Sequence, residues 1–200
     1  TVAVSLLMLL CFVSLLLTWR AISNLGEEVS YQSEYKTAIG EIKKFSLPDG
    51  SSIQMNTNST AKVKYTHANR IIELVDGEAQ FDVFPDYERP FFVYAGKHVV
   101  RAVGTAFSIY VTEAGSIDVI VTEGRIQVAT LKKPVSLQTA QRSESFEKKD
   151  ENVIALVSFE EGHHALFEQE IELVERIEPE EIDKRLSWRD KTVIFDGDRL

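Results

Sequence analysis

Four carboxylates sit beside turn residues or on alternating stretches of the chain: Asp49, Glu78, Asp82 and Glu123. Hydrolytic acid–base chemistry needs two carboxyl groups held a few ångströms apart in environments that separate their pKa values. No helical spacing or strained elbow in the sequence sets up such a pair, and exposed strand faces and turns account for all four. Glu78 and Glu123 each adjoin a glycine, where a carboxylate can accept turn N–H groups. His163-His164 raises the question of a metal site. Neighbours on a helix point about 100° apart, and neither an H-E-x-x-H pattern nor a cysteine partner is present, so the two read as a solvated pair. His67 and His98 are isolated. Ser51 and Ser108 lack the G-x-S-x-G setting of a nucleophile. Gly50, Gly77, Gly104 and Gly124 do not open a helix, which removes the phosphate-cradle reading. They read as strand starts that need positive φ or a bulge. The one cysteine, Cys11, allows neither an intrachain disulfide nor a Cys-based zinc site. No catalytic, metal-ligating or cofactor-binding residue is assigned, no cofactor is implied, and the expectation is a protein that is not an enzyme.

Charge narrows the partners. The 200 residues hold 22 Lys and Arg against 31 Asp and Glu, a formal charge of −9, which lacks the basic footprint that phosphate backbones require. A hydrophobic share of 44% is enough for a globular core. It is unevenly spread, with much of the excess in the first twenty positions.

Those positions set the first element. Thr1 to Trp19 carries no charged residue, and about 19 residues at a rise of roughly 1.5 Å approach the ~30 Å of bilayer hydrocarbon. Trp19 and Arg20 supply an interfacial aromatic and a charge. Trp19-Arg20-Ala21-Ile22-Ser23 is a poor cleavage site, which favours an anchor over a signal peptide. The expectation is a transmembrane helix over 1–19 and a juxtamembrane linker over 20–34. From Tyr35 the apolar period becomes two: Ile53 and Met55; Val63 and Tyr65; Ile72 and Leu74; Ala79, Phe81 and Val83; Phe91, Val93 and Ala95; Phe107, Ile109 and Val111; Ile117, Val119 and Val121; Ile126 and Val128. Turn signals at Pro48-Asp49-Gly50, Asp76-Gly77, Pro85-Asp86, Ala95-Gly96, Ala114-Gly115-Ser116 and Glu123-Gly124 separate these runs. Short strands at this spacing predict a mainly β domain over 35–130, an antiparallel sandwich or a solenoid-like roll, each strand with one polar face. Phe81, Phe91 and Phe107 fall on the core side, and Pro90 suits a strand's first residue.

The stretch 131–185 reads as a polar, then acidic, connector. Within it Phe167, Ile171, Val174 and Ile177 fit a helical stripe better than alternation. Pro179-Glu180-Glu181 is a good helix start, with proline in the first turn and negative charge facing the dipole. The helix is expected to end near Trp188 and a strand to follow at Thr192–Phe195. With nothing after Leu200, 186–200 reads as the start of an α+β domain that continues further.

The β-rich stretch resembles the FecR family, membrane-anchored regulators of iron-transport sigma factors. The matching residues are Leu47-Pro48-Asp49-Gly50-Ser51, Gly77-Glu78-Ala79-Gln80-Phe81-Asp82-Val83, Arg89-Pro90-Phe91-Phe92-Val93, Gly104-Thr105-Ala106-Phe107 and Glu123-Gly124-Arg125-Ile126, five motifs in the family's order. Leu186-Ser187-Trp188-Arg189-Asp190 and Phe195 are similar to the family's approach to its C-terminal receiving domain. The chain departs from the family pattern at Ala140 or Gln141 and near Lys191, where glycine is usual, and the acidic stretch looks like an insertion. The resemblance implies an anti-sigma regulator in the inner membrane, crossing it once, with its β domain in the periplasm. Its implied partners are the signalling domain of a TonB-dependent outer-membrane receptor and, through a segment before Thr1, an extracytoplasmic-function sigma factor. Gly50, Gly77, Glu78, Phe81, Pro90, Phe91, Gly104, Thr105, Phe107, Glu123 and Gly124 are the family's structural positions, and Trp188, Val193 and Phe195 are the expected partner-binding residues. The other reading left open is a membrane-anchored cell-envelope module with no sigma partner.

Overall fold

Side chains that alternate along an extended chain can bury one face only if neighbouring strands align their apolar sides. Among the described residues they do so across thirteen strands. The computed structural model describes residues 8, 11–16, 18, 28–112, 115–135, 137, 152–168 and 171–190. Its strands are β1 Val29–Lys36, β2 Lys43–Ser46, β3 Ser52–Met55, β4 Thr60–Thr66, β5 Arg70–Asp82, β6 Phe91–Ala95, β7 His98–Ala102, β8 Ala106–Val111, β9 Ile117–Glu123, β10 Arg125–Leu131, β11 Val153–Glu160, β12 His163–Phe167 and β13 Ile171–Arg176. Helix α1, Pro179–Arg185, and a 3₁₀ turn, Ser187–Asp190, follow.

The long strand β5 organises the sheet. Its first half, from Arg70 to Asp76, pairs with β4 and, in parallel, with β6; β7, β10 and β11 extend that side and β1 borders β4. Its second half, from Gly77 to Asp82, pairs with β3 and β8; β9, β12 and β13 extend this side and β2 borders β3. The two halves, called here the first and second half-sheets, turn their apolar faces toward each other. Phe81 from β5 stacks on Phe107 at 5.2 Å and meets Phe91 edge-on at 6.3 Å. Phe159 of β11 stacks on Phe167 of β12 at 6.0 Å. One continuous core results, containing Ile53, Val63, Ile72, Ile109 and Val121 with no exposed surface.

The architecture is thus mainly β, one curled mixed sheet in place of the expected all-antiparallel arrangement. The parallel β5–β6 pair has a simple cause. β5 ends on the second half-sheet, and the loop 83–90 carries the chain back to the start of β5 on the first. Asp76-Gly77 is no turn: Gly77 lies inside β5, where the strand passes between half-sheets. Its φ is +80°, and a Cβ there would lie 2.2 Å from Ser59 Oγ and 2.7 Å from Ser59 Cα. The 153–176 region is corrected too. The expected helical stripe is two strands, because Ala165 and Phe167 point into the core while His164 points out. The connector therefore adds β11, β12 and β13 to the sheet, and β1 takes up the end of the expected linker, from Val29 to Glu34. β6 is buried on both faces, since Phe92, Tyr94, Val99, Ala129, Leu131 and Leu137 form a second apolar cluster behind the first half-sheet.

Of the expected membrane span, the described residues 8, 11–16 and 18 are helical. Among the described residues no helix is long and apolar enough to cross a membrane. Thr192–Phe195, with Val193 and Phe195, lies outside the described residues, as do Ala140, Gln141 and Lys191.

Gly77→Ala is expected to lower unfolding stability by about 3 kcal/mol, combining left-handed strain and overpacking. Gly40 has a similar φ of +82° with nothing within 4 Å of a Cβ, so Gly40→Ala should cost only about 1 kcal/mol. Urea denaturation of the two variants separates the terms.

Candidate functional site

Two polar constellations stand out, one inside the domain and one on its surface. The inner one is built from residues far apart in sequence. Arg70, at the start of β5, and Asp49, in the β2–β3 turn, form an ion pair at 2.6 Å with side-chain exposures of 0% and 2%. Arg70 also donates through Nη1 to the Phe84 carbonyl (2.9 Å), through Nε to the Arg89 carbonyl (2.9 Å) and through Nη2 to the Asp86 carbonyl (3.4 Å). Its guanidinium lies over the Phe91 ring at 5.3 Å. Asp49 accepts from the Ser51 hydroxyl (2.5 Å), the Ser51 amide (3.2 Å) and the Tyr65 hydroxyl (3.0 Å). Burial by itself would raise the Asp49 carboxyl, but bonds from Ser51, Arg70 and Tyr65 outweigh it and hold the group below its ordinary value. Burial, then the Asp49 charge, pushes the Tyr65 phenol far up.

This constellation is a lock. A charge this deeply buried is tolerated only when paired and fully bonded, and one guanidinium here ties the β2–β3 turn to the loop 83–90. The other motif positions lie in and around that framework. Gly50 (φ +88°) lies under the Phe84 ring. The Pro90 carbonyl accepts from the Arg70 amide at 3.2 Å, with Pro90 immediately before β6. The Thr105 carbonyl accepts from Val83 at 2.9 Å. Gly104 backs onto Pro85, and Gly124 backs onto Thr105. Phe81, Phe91 and Phe107 are core residues with no exposed surface. Glu123 is exposed at the end of β9. Asp82 is also exposed, bonded to Lys44 at 3.1 Å and Ser52 at 2.9 Å. Asp49 corrects the expectation of an exposed turn carboxylate. The sequence could not show this, because its partner lies 21 positions away.

The outer constellation lies on the face of the second half-sheet turned away from the core. There α1 and the 3₁₀ turn cross from the β12 side to the β3 side. Glu78 is half-buried and accepts from Trp188 Nε1 (2.8 Å), Asn56 Nδ2 (2.8 Å) and, more weakly, the Ser108 hydroxyl (3.4 Å). Burial raises its carboxyl against the lowering effect of those three bonds. It corrects the reading of Glu78 as a surface turn acceptor. Gln54 Nε2 donates to the Arg189 carbonyl at 2.7 Å. At the other end, His164 Nε2 lies 2.9 Å from Asp118 and Nδ1 lies 3.2 Å from Glu175. Arg185 Nη1 sits 3.0 Å from His164 Nε2 and 4.0 Å from Asp118. The hydrogen bond to Asp118 raises the His164 pKa, against burial and with further help from Glu175. The solvated His pair is corrected: on a strand, neighbours face opposite sides, so His163 is partly exposed while His164 is 5% exposed. His98 is fully buried, between Thr130 (3.2 Å) and the Glu168 carbonyl (3.1 Å), and burial lowers its pKa.

Trp188, expected to face a partner, is bonded to the chain's own Glu78. The segment is lightly held. No side chain of α1 or of the 3₁₀ turn is buried, and only Leu186 between them has no exposure. One buried leucine contributes about 1.5–3 kcal/mol and each polar bond about 0.5–1.5 kcal/mol. Beneath α1 runs an open cleft of about 660 Å³ lined by charges of both signs, among them Arg176, Arg189, Glu161, Glu178 and Asp183. Among the described residues no group of three or more His, Cys, Asp or Glu side chains is arranged to hold a metal ion.

Residues 33–127 match the model of the FecR protein family. The resemblance carried by the five motifs therefore holds over the stretch that contains them. Two crystal structures of a candidate anti-sigma factor from Parabacteroides distasonis share the fold at a TM-score of 0.58 and 22% identity, over 79% and 78% of this chain. The matched part is 64% of that protein's chain, so this chain spans less than two thirds of its length. No protein of curated function matches the sequence significantly.

His164 carries a pH prediction. Its pKa in the fold lies above the ordinary value of 6.5, so the protonated ring adds stability below that value and loses the contribution as pH rises through the raised one. His164→Gln should therefore lower the thermal midpoint more at pH 6 than at pH 9. A difference that is equal at the two pH values would refute the assignment.

Proposed function

We propose that this chain is the membrane-proximal and sensory part of a regulator that controls an extracytoplasmic-function sigma factor. The observation that carries the reading is the FecR match over residues 33–127, the same stretch in which the motif residue Asp49 pairs with Arg70 in the buried lock. A fold shared with a candidate anti-sigma factor supports it. In this reading the β domain is a rigid platform that binds and positions and breaks no bonds. The signal comes from the periplasmic signalling domain of a TonB-dependent outer-membrane receptor and is received by the region that begins near Leu186.

The same reading places Thr1–Trp19 as a single helix across the inner membrane, with the β domain in the periplasm. A helix satisfies all its backbone groups internally, which lipid demands. The exposure of Met8, Phe12, Val13, Leu15 and Leu16 on the described helical residues suits side chains whose surroundings are lipid.

The test uses the full-length protein in its native cell. A tagged copy should co-purify one sigma factor from detergent-solubilised inner membranes, and deleting the gene should change transcription from that factor's promoters by tenfold or more. A protease added to spheroplasts should digest the β domain, and added to intact cells should not. Recovery of no sigma factor, with transcription unchanged, would sink the reading.

A further inference from the structure

The contact between residues 179–190 and the second half-sheet differs from the rest of the packing in what it leaves behind if broken. Neither apolar cluster of the β domain includes a residue of this segment. Its charged sheet-side anchors each keep a partner when the segment leaves. Glu78 loses Trp188 on opening but keeps Asn56 at 2.8 Å and Ser108 at 3.4 Å. Asp118 loses Arg185 but keeps His164 at 2.9 Å, and His164 keeps Glu175 at 3.2 Å. Gln54, at a half-buried position, loses the Arg189 carbonyl. No buried charge is stranded, so the usual penalty that makes polar contacts irreversible parts of a fold does not apply. The segment itself leaves with little: one buried leucine and a half-buried indole.

We propose that residues 179–190 are a releasable strap, closed over the second half-sheet by the Trp188–Glu78 bond at one end and the Arg185–Asp118–His164 cluster at the other. It opens as a unit while the β domain stays folded, and opening frees Leu186 and Trp188 together. A freed tryptophan is the kind of anchor a protein partner captures in a pocket, and Leu186 lies two positions from it. The β domain and that partner compete for the same two side chains, so the closed strap opposes engagement and the partner's affinity is lowered by the closed fraction. This role rests on the reading that the receiving region begins at Leu186; the opening itself does not.

Hydrogen exchange followed by mass spectrometry on the intact chain tests the opening. In the wild type, amides of 180–190 should exchange at least tenfold faster than those of β5 and β8. Trp188→Phe keeps an aromatic side chain and removes the donor, and should speed the strap amides by roughly fivefold, the equivalent of one ordinary hydrogen bond. Arg185→Gln, at the far end, should speed the same amides by a similar factor. β5 and β8 should be unchanged in both, which also shows that the variants fold. The proposal is overturned if strap and sheet amides exchange at one common rate, or if each variant loosens only its own end. The readout needs neither a sigma factor nor a receptor, so its failure and that of the functional reading are separate results.

Discussion

A single buried guanidinium organises the working part of this molecule. Arg70 has no exposed side-chain surface and spends its donors on Asp49 and on three carbonyls of the loop 83–90. Its plane is fixed further by Phe91. A lysine could not replace it, because an ammonium is a point charge on a flexible stem and lacks the planar fork. The consequence reaches beyond the pair. The loop 83–90 is the connection that returns the chain to the first half-sheet and makes the β5–β6 pairing parallel. Holding that loop and the β2–β3 turn to one cation fixes how the half-sheets meet at β5.

The framework leaves two outward faces, and the chain covers them differently. Behind the first half-sheet, Leu131 and Leu137 join Ile71, Phe92 and Tyr94 in an apolar cluster. That cover is of the ordinary hydrophobic kind and opens only at the expense of buried area. Over the second half-sheet, the cover is polar at both ends with one leucine between. The contrast separates a structural layer from a contact suited to exchange, and the lightly held layer is the one that leads into the receiving region of the proposed function.

Much of the fold was legible because one physical signal dominates it. Period-two runs such as Ala79 and Phe81 or Ile117, Val119 and Val121 are buried on one side, and each fell where a strand lies. The signal failed where two periods coincide. Phe167, Ile171 and Val174 satisfy a helical spacing while Phe167, Ile171 and Leu173 satisfy alternation, and the pairing of β12 with β9 and β13 decides for strand. The five motifs pointed to the right stretch, but not to what they do. Asp49 looked like a turn residue because Arg70 lies 21 positions away, and nothing local marks Arg70 as its partner. His164 and Glu78 were hidden for the same reason: their partners Asp118, Arg185 and Trp188 are brought close only by tertiary packing.

The central claim is that the Asp49–Arg70 pair acts as one unit in holding the platform together, and a double-mutant cycle measures it most directly. Unfolding free energies of the wild type, Asp49→Asn, Arg70→Met and the double variant give the coupling between the two side chains. The account predicts a coupling of about 2 kcal/mol or more, with the double variant little worse than the poorer single one. Additive losses, with coupling under about 0.5 kcal/mol, would contradict it.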